Sequence, residues 1–237
     1  MVKGRRFSSK KSKKSTHIDK IKCELTMVGN TAIRACILDG KVAEPLIDEW
    51  QHSWSPGTLT YRLNNYTNDW KTKHDQERAV TVAFRAWQLR IKDLKFKREY
   101  NINEHVNFDI SFEDLEHFDN RKGVLAHAYF PGQGDVSGDI CINDNWNWVP
   151  HSMWQNLASP PLVTVLMHEI GHALGLRHDN RSKDCIMYPS MNLGKSKNVL
   201  HEYDIERIQD RYGKRNLSQR ILDYFIRRRI RGGDFDR

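Results

Sequence analysis

The sequence predicts an α+β domain, and three observations predict it. Alternating apolar and polar residues fill 58–66 and 105–112, and strand-like runs follow over 124–130 and 138–143. Apolar residues at helical spacing fill 74–91 and 203–210, and a mostly apolar run from Pro161 leads straight into a histidine-rich segment. The strands come mostly together, with helices after them, rather than in strict β-α alternation.

Taken in order, residues 58–66 (TLTYRLNNY) alternate and are rich in β-formers, so they read as a first strand. From His74 to Ile91, Val80, Phe84, Trp87 and Ile91 fall on one helical face. Lys95, Lys97 and Arg98 then lead toward a second strand, His105 to Phe112. Residues 124–130 (VLAHAYF) form a third, broken by Pro131-Gly132-Gln133-Gly134, and residues 138–143 form a short fourth ending near Trp146 and Trp148. A helix carries the histidines after Pro161. The last helix covers Tyr203 to Asp210 and stops near Gly213.

The chain has 237 residues and a net charge of +8. Residues 1–22 hold nine Lys/Arg against Asp19 alone, and residues 214–237 hold eight against Asp223, Asp234 and Asp236, so the basic character belongs to the ends and the body between them is mildly acidic. No apolar run approaches the roughly 18 residues of a membrane span. The N-terminal stretch is positive but has no apolar core, so it does not read as a secretory signal. Cys23, Cys36, Cys141 and Cys185 are too scattered for a disulfide framework. The organisation expected is a basic extension over 1–44, without fixed structure at least to residue 22; a domain over 45–213; and a basic tail over 214–237. Cys36 reads either as a thiolate that caps a metal and holds an enzyme latent, or as an ordinary thiol.

The chemistry concentrates in His168 to His178, HEIGHALGLRH. His168 and His172 are four apart and share a helix face. Gly175 falls where the helix must turn, because glycine takes positive φ at little cost, and the turn returns His178 as a third nitrogen. Three protein ligands leave a zinc position open, the arrangement of catalytic rather than structural sites. Glu169, beside the first histidine, is placed to act on water rather than on the metal. Gly171 keeps bulk off the helix. Met187, in Cys185-Ile186-Met187-Tyr188-Pro189, matches a turn that lies beneath such histidines, although alone it would read as a core residue.

Together these segments resemble the catalytic domain of matrix metalloproteinases, the matrixin branch of the metzincins. The resemblance covers residues 54–213 and includes Leu59 to Thr67, Trp87, Val124 to Tyr129, the histidine motif, Met187-Tyr188-Pro189, Asp204-Ile205, Ile208-Gln209 and Tyr212-Gly213. It implies a five-stranded twisted sheet with three helices, catalytic zinc on His168, His172 and His178, and Glu169 as catalytic base. The implied protein is a monomeric zinc metalloendopeptidase that hydrolyses internal peptide bonds of extracellular-matrix-type proteins outside the cell. Substrate would add as a strand to the edge at Leu125–Ala128, with Pro189-Ser190-Met191 walling the specificity pocket and the small Thr164 leaving it open.

Several positions depart from the family pattern. Asp179 follows the third histidine where Ser is usual. The structural zinc and calcium sites of the family are altered: His127 matches one zinc histidine, but Cys141 stands for the other, with His117 or Asp114 as further candidates. Asn143 and Trp146 replace calcium carboxylates, leaving Asp119, and fewer charges weaken calcium binding. A reading from a different class is a zinc-binding protein whose basic ends bind nucleic acid or anionic surfaces. The amphipathic run Ile221 to Arg231 carries that reading.

Overall fold

The computed structural model describes residues 22–28, 31–38, 41–43, 52–70, 72–150, 159–189, 197 and 199–216. In chain order the elements are β1 (Lys22–Val28), β2 (Thr31–Leu38), β3 (Lys41–Ala43), β4 (Gly57–Leu63), α1 (Lys73–Gln88), β5 (Leu94–Arg98), β6 (Phe108–Glu113), β7 (Val124–Tyr129), β8 (Ile140–Asn143), α2 (Leu162–Ala173) and α3 (Glu202–Tyr212). Five strands form a mixed sheet in the order β5-β4-β6-β8-β7. β4 runs parallel to β5 and β6, β6 runs parallel to β8, and β7 alone is antiparallel to its neighbour β8. With three helices this is the α+β architecture expected.

Local sequence explains the elements. Every second residue of β4 from Leu59 onward is buried, the period of a strand with one face on a core. The Thr72 side chain accepts a hydrogen bond from the Asp75 amide and opens α1. The helix then buries Ala79, Val80, Ala83, Phe84 and Trp87. Phe84 stacks on Tyr61 of β4 with ring centres 4.2 Å apart. All twelve residues of α2 are buried, which makes it the central helix rather than an amphipathic cover. The Trp87 indole N–H donates to the Met167 carbonyl at 2.9 Å and ties α1 to α2. β5, absent from the sequence reading, alternates Leu94 and Phe96 with lysines; two lysines and an arginine within five residues disguise it as a loop.

The larger difference lies at the N-terminal side. Residues 22–43, read as part of an irregular basic extension, hold three strands. β1 pairs antiparallel with β7, β2 with β1, and β3 with β2, extending the sheet to eight strands in the order β3-β2-β1-β7-β8-β6-β4-β5. The physical reason is twofold. Thr26, Val28, Thr31, Ile33 and Ile37 are β-branched and suit strands, and β7 would otherwise present an unpaired row of backbone donors and acceptors. Residues 1–21 and 217–237, which carry most of the basic charge at the two ends, lie outside the described residues. No helix among the described residues is long and apolar enough to cross a membrane.

Candidate metal centre

α2 delivers His168 and His172 on one face, one turn apart, and both are buried. Leu174 ends the helix, and Gly175 then takes φ +91°; a Cβ there would meet the Arg211 guanidinium at 2.7 Å. That reversal brings His178 back over the helix. His172 Nε2 lies 3.0 Å from His168 Nε2, which lies 3.3 Å from His178 Nε2.

The ring protons of two of these imidazoles are already committed. His168 Nδ1 donates to the Ile186 carbonyl and His172 Nδ1 to the Leu176 carbonyl, both at 2.7 Å. A carbonyl only accepts, so each neutral ring carries its proton on Nδ1 and turns a bare Nε2 lone pair inward. Burial pushes the His168 pKa down to about 4, and burial with the neighbouring His168 holds His172 well below the ordinary histidine range. Protonation therefore does not relieve two lone pairs facing each other at 3.0 Å near neutral pH. A cation does: nitrogens at about 2.0–2.1 Å in a tetrahedral set stand about 3.3 Å from one another. The three residues fit one metal ion. Glu169, next along α2, is fully buried.

The floor beneath the histidines is a set of contacts that spacing did not reveal. Met187 is fully buried, and a Cβ added to Gly171 would collide with its sulfur and approach Trp87 Cζ2 at 3.0 Å. The glycine inside α2 is thus the recess that seats Met187. Asp204, in the first turn of α3 and fully buried, holds the Met187 turn from below. It accepts from the amides of Ile186 (2.7 Å) and Met187 (3.1 Å) and from that of His201 (2.9 Å). The His201 side chain in turn accepts from the Tyr203 amide, completing a capping box with histidine as the cap. In the sequence Asp204 stood as part of a helix and of the family resemblance, with no role of its own; the signal for the role is its N3 position behind a polar cap.

Asp179, the departure after the third histidine, is buried. Its amide donates to the Met187 carbonyl at 2.8 Å, and its carboxylate receives both Arg181 Nε (3.1 Å) and Nη2 (2.7 Å). Arg207 approaches at 3.6 Å and also donates to the Arg177 carbonyl. Burial works to raise the Asp179 pKa, but the Arg181 hydrogen bonds and the Arg207 charge outweigh it and hold the group below the ordinary range. Thr164, buried one turn before His168, donates its hydroxyl to the Lys197 carbonyl at 2.7 Å. Of the expected pocket wall, Pro189 is buried, while Ser190 and Met191 lie outside the described residues. Cys36 is placed only by its backbone, in β2 opposite Cys23 of β1.

A second group lies on the sheet. His127 of β7 stands in register with Cys141 of β8, and His117 Nε2 comes within 3.4 Å of His127 Nε2. His117, His127 and Cys141 can together hold a metal ion. Asp114 instead accepts the His117 amide at 3.1 Å. Asp119 points outward to Arg121, and the Asn143 side chain is used by the Val124 carbonyl and the Asn145 amide.

Comparison with known proteins agrees with this geometry. The matrixin family profile matches residues 50–213. Matrix metalloproteinase-18 of Xenopus laevis is 36% identical over 168 residues, covering 68% of this chain and 34% of that protein. Macrophage metalloelastase of Rattus norvegicus is 35% identical over 164 residues, covering 68% and 33%, and matrix metalloproteinase-20 of Homo sapiens is 36% identical over 173 residues, covering 69% and 33%. The chain thus spans about a third of the length of these curated relatives. With the profile running across the sheet, the histidine helix and the Met187 turn to Gly213, this chain belongs to the matrixin family.

Proposed function

We propose that the chain is a zinc-dependent metalloendopeptidase. The observation that carries the reading is the convergence of three buried imidazole nitrogens, two with their protons locked away from the centre, beside a buried carboxylate on the same helix. In this reading His168, His172 and His178 hold zinc, and the fourth position stays open. When bound there, zinc supplies Lewis acidity toward a scissile carbonyl and acidifies water. Glu169 takes the proton of the attacking water on a carboxylate oxygen and delivers it to the leaving amine. The Ile186 and Leu176 carbonyls keep the two helix imidazoles in the tautomer that offers Nε2. Met187, seated against Gly171, keeps the floor from shifting, and Asp204 keeps Met187 in place.

The substrate is a protein chain bound in extended form along β7. The names of relatives, interstitial collagenase B of Mus musculus and the matrix metalloproteinases among them, favour proteins of the extracellular matrix as the class and a site of action outside the cell. The domain carrying the activity runs over 45–213, with the basic ends outside it. A second zinc on His117, His127 and Cys141 belongs to the same reading, with a thiolate where a neutral nitrogen is usual in the family. Glu169→Gln tests the assignment. The variant is expected to retain one zinc at the histidine site by metal analysis and to lose cleavage of a quenched peptide by about 10²–10⁴-fold. Cleavage near the parent rate overturns the role of Glu169.

A further inference from the structure

The edge on which a substrate strand would lie is already taken. β7 has two sides. One pairs with β8, and the other pairs antiparallel with β1, placing Lys22 opposite Tyr129, Cys23 opposite Ala128, Glu24 opposite His127 and Leu25 opposite Ala126. The register then slips: Thr26 faces Val124, so Leu125 is an extra residue of β7 without a counterpart, a β-bulge. β1 also approaches α2, the helix that carries His168 and His172. β1 therefore packs on the α2 side of the sheet as well as on the outer edge of β7. β2 and β3 back it, pairing in turn on its outer side.

From this juxtaposition we propose that β1 is an intramolecular competitor for the substrate edge. The inference rests on the endopeptidase reading above, in which substrate pairs with β7. A peptide can add to β7 only after β1 leaves, because a strand has one free row of donors and acceptors per side. Residues 44–56 link the β1–β3 unit to β4, so the competitor is held in cis. A competitor in the same chain acts at an effective concentration on the order of millimolar, above that of most protein substrates. The hold is built to be reversible. The bulge at Leu125 interrupts the pairing, and Met27 and Val28 pair with β2 but not with β7. The consequence is a change in apparent substrate affinity rather than in the chemical step. KM is multiplied by the inverse of the fraction of molecules with β1 released, while kcat is unchanged.

The test uses the full chain with two adjacent prolines in β1, Glu24→Pro with Leu25→Pro. Alternate residues of an antiparallel strand send their N–H to opposite neighbours, so consecutive prolines remove a donor on each side of β1. A control carries Ser8→Pro with Ser9→Pro. The β1 variant is expected to show KM for a quenched peptide lowered about tenfold or more, kcat within about twofold, and the control unchanged. Amide hydrogen exchange gives the independent readout. In the parent, the Val124–Tyr129 amides directed away from β8 are protected; in the β1 variant they exchange at least tenfold faster, while α2 stays protected in both. Equal KM in variant and parent, or unprotected β7 amides in the parent, overturns the proposal. If neither protein cleaves any peptide while zinc is bound, the endopeptidase reading fails first. Protected β7 amides would then leave a strand pairing with nothing to compete against, and the proposal falls with the reading.

Discussion

At Gly171 a single methyl group separates a seated Met187 from a displaced one. The alanine side chain would occupy the position of the Met187 sulfur, so Gly171→Ala forces either α2 or the Met187 turn to move. Overpacking of this kind costs about 1–3 kcal/mol. Gly171→Ala is expected to lower the unfolding free energy from urea titration by that amount, with a lower midpoint, and to weaken metal retention against a chelator, because His168 leans on the Ile186 carbonyl beside Met187. An unchanged midpoint and unchanged retention would contradict the packing described. Asp179 has a pH signature. Its pKa is lower folded than unfolded, so its contribution is present above the ordinary aspartate value of 3.8 and is lost as pH falls through the folded value. Asp179→Asn is expected to be less stable than the parent at pH 7 by about 2 kcal/mol. The gap should close as pH falls below 3.8 and through the folded value; a gap independent of pH would remove the carboxylate–Arg181 pair as its source.

At the scale of elements, α3 does more than close the domain. Its first turn places Asp204 under the Met187 turn, so a helix outside the metal motif sets the height of the floor on which the histidines rest. Asp204→Ala leaves three amides without their acceptor and is expected to destabilise the protein by about 3 kcal/mol. Asp204→Asn, which keeps one acceptor oxygen, should recover part of that loss. Thermal or urea unfolding of both variants separates the outcomes, and equal stability of alanine and asparagine variants would show that the hydrogen bonds to the turn do not matter. β5 and β1–β3 belong to this scale too. Each carries a usable strand pattern, yet each is realised only where a neighbour offers an open edge: β4 for β5, and β7 for β1.

For the whole molecule, metal binding and folding are linked. The histidines come from α2 and from the loop beyond Gly175, and the second group joins His117 to two strands, so an ion in either place binds the folded chain and not the unfolded one. Saturating zinc is expected to raise folding free energy by about 4 kcal/mol per site at a thousandfold excess over Kd. Chelation should therefore lower the unfolding midpoint of the parent. Cys141→Ser should lose only the contribution of the second site and leave cleavage of short peptides in place. A parent whose midpoint ignores chelator would argue against either group holding metal.

Much of this was legible in the chain itself. The spacing of His168, His172 and Gly175 fixes a shared helix face and a reversal through positive φ, because helix periodicity and glycine's freedom are local properties that need no partner. The alternation of β4 and β6 and the helical face of α1 are local in the same sense. What the linear order could not decide were the relations across distance. The seat of Met187 on Gly171, the Ile186 and Met187 amides gathered by Asp204, the approach of Arg207 to Asp179, and the choice of β1 as neighbour of β7 join residues far apart in sequence or depend on an edge that exists only once the sheet has formed. Local preference can propose a strand; only packing and the need to pair backbone groups determine which strand lies beside β7.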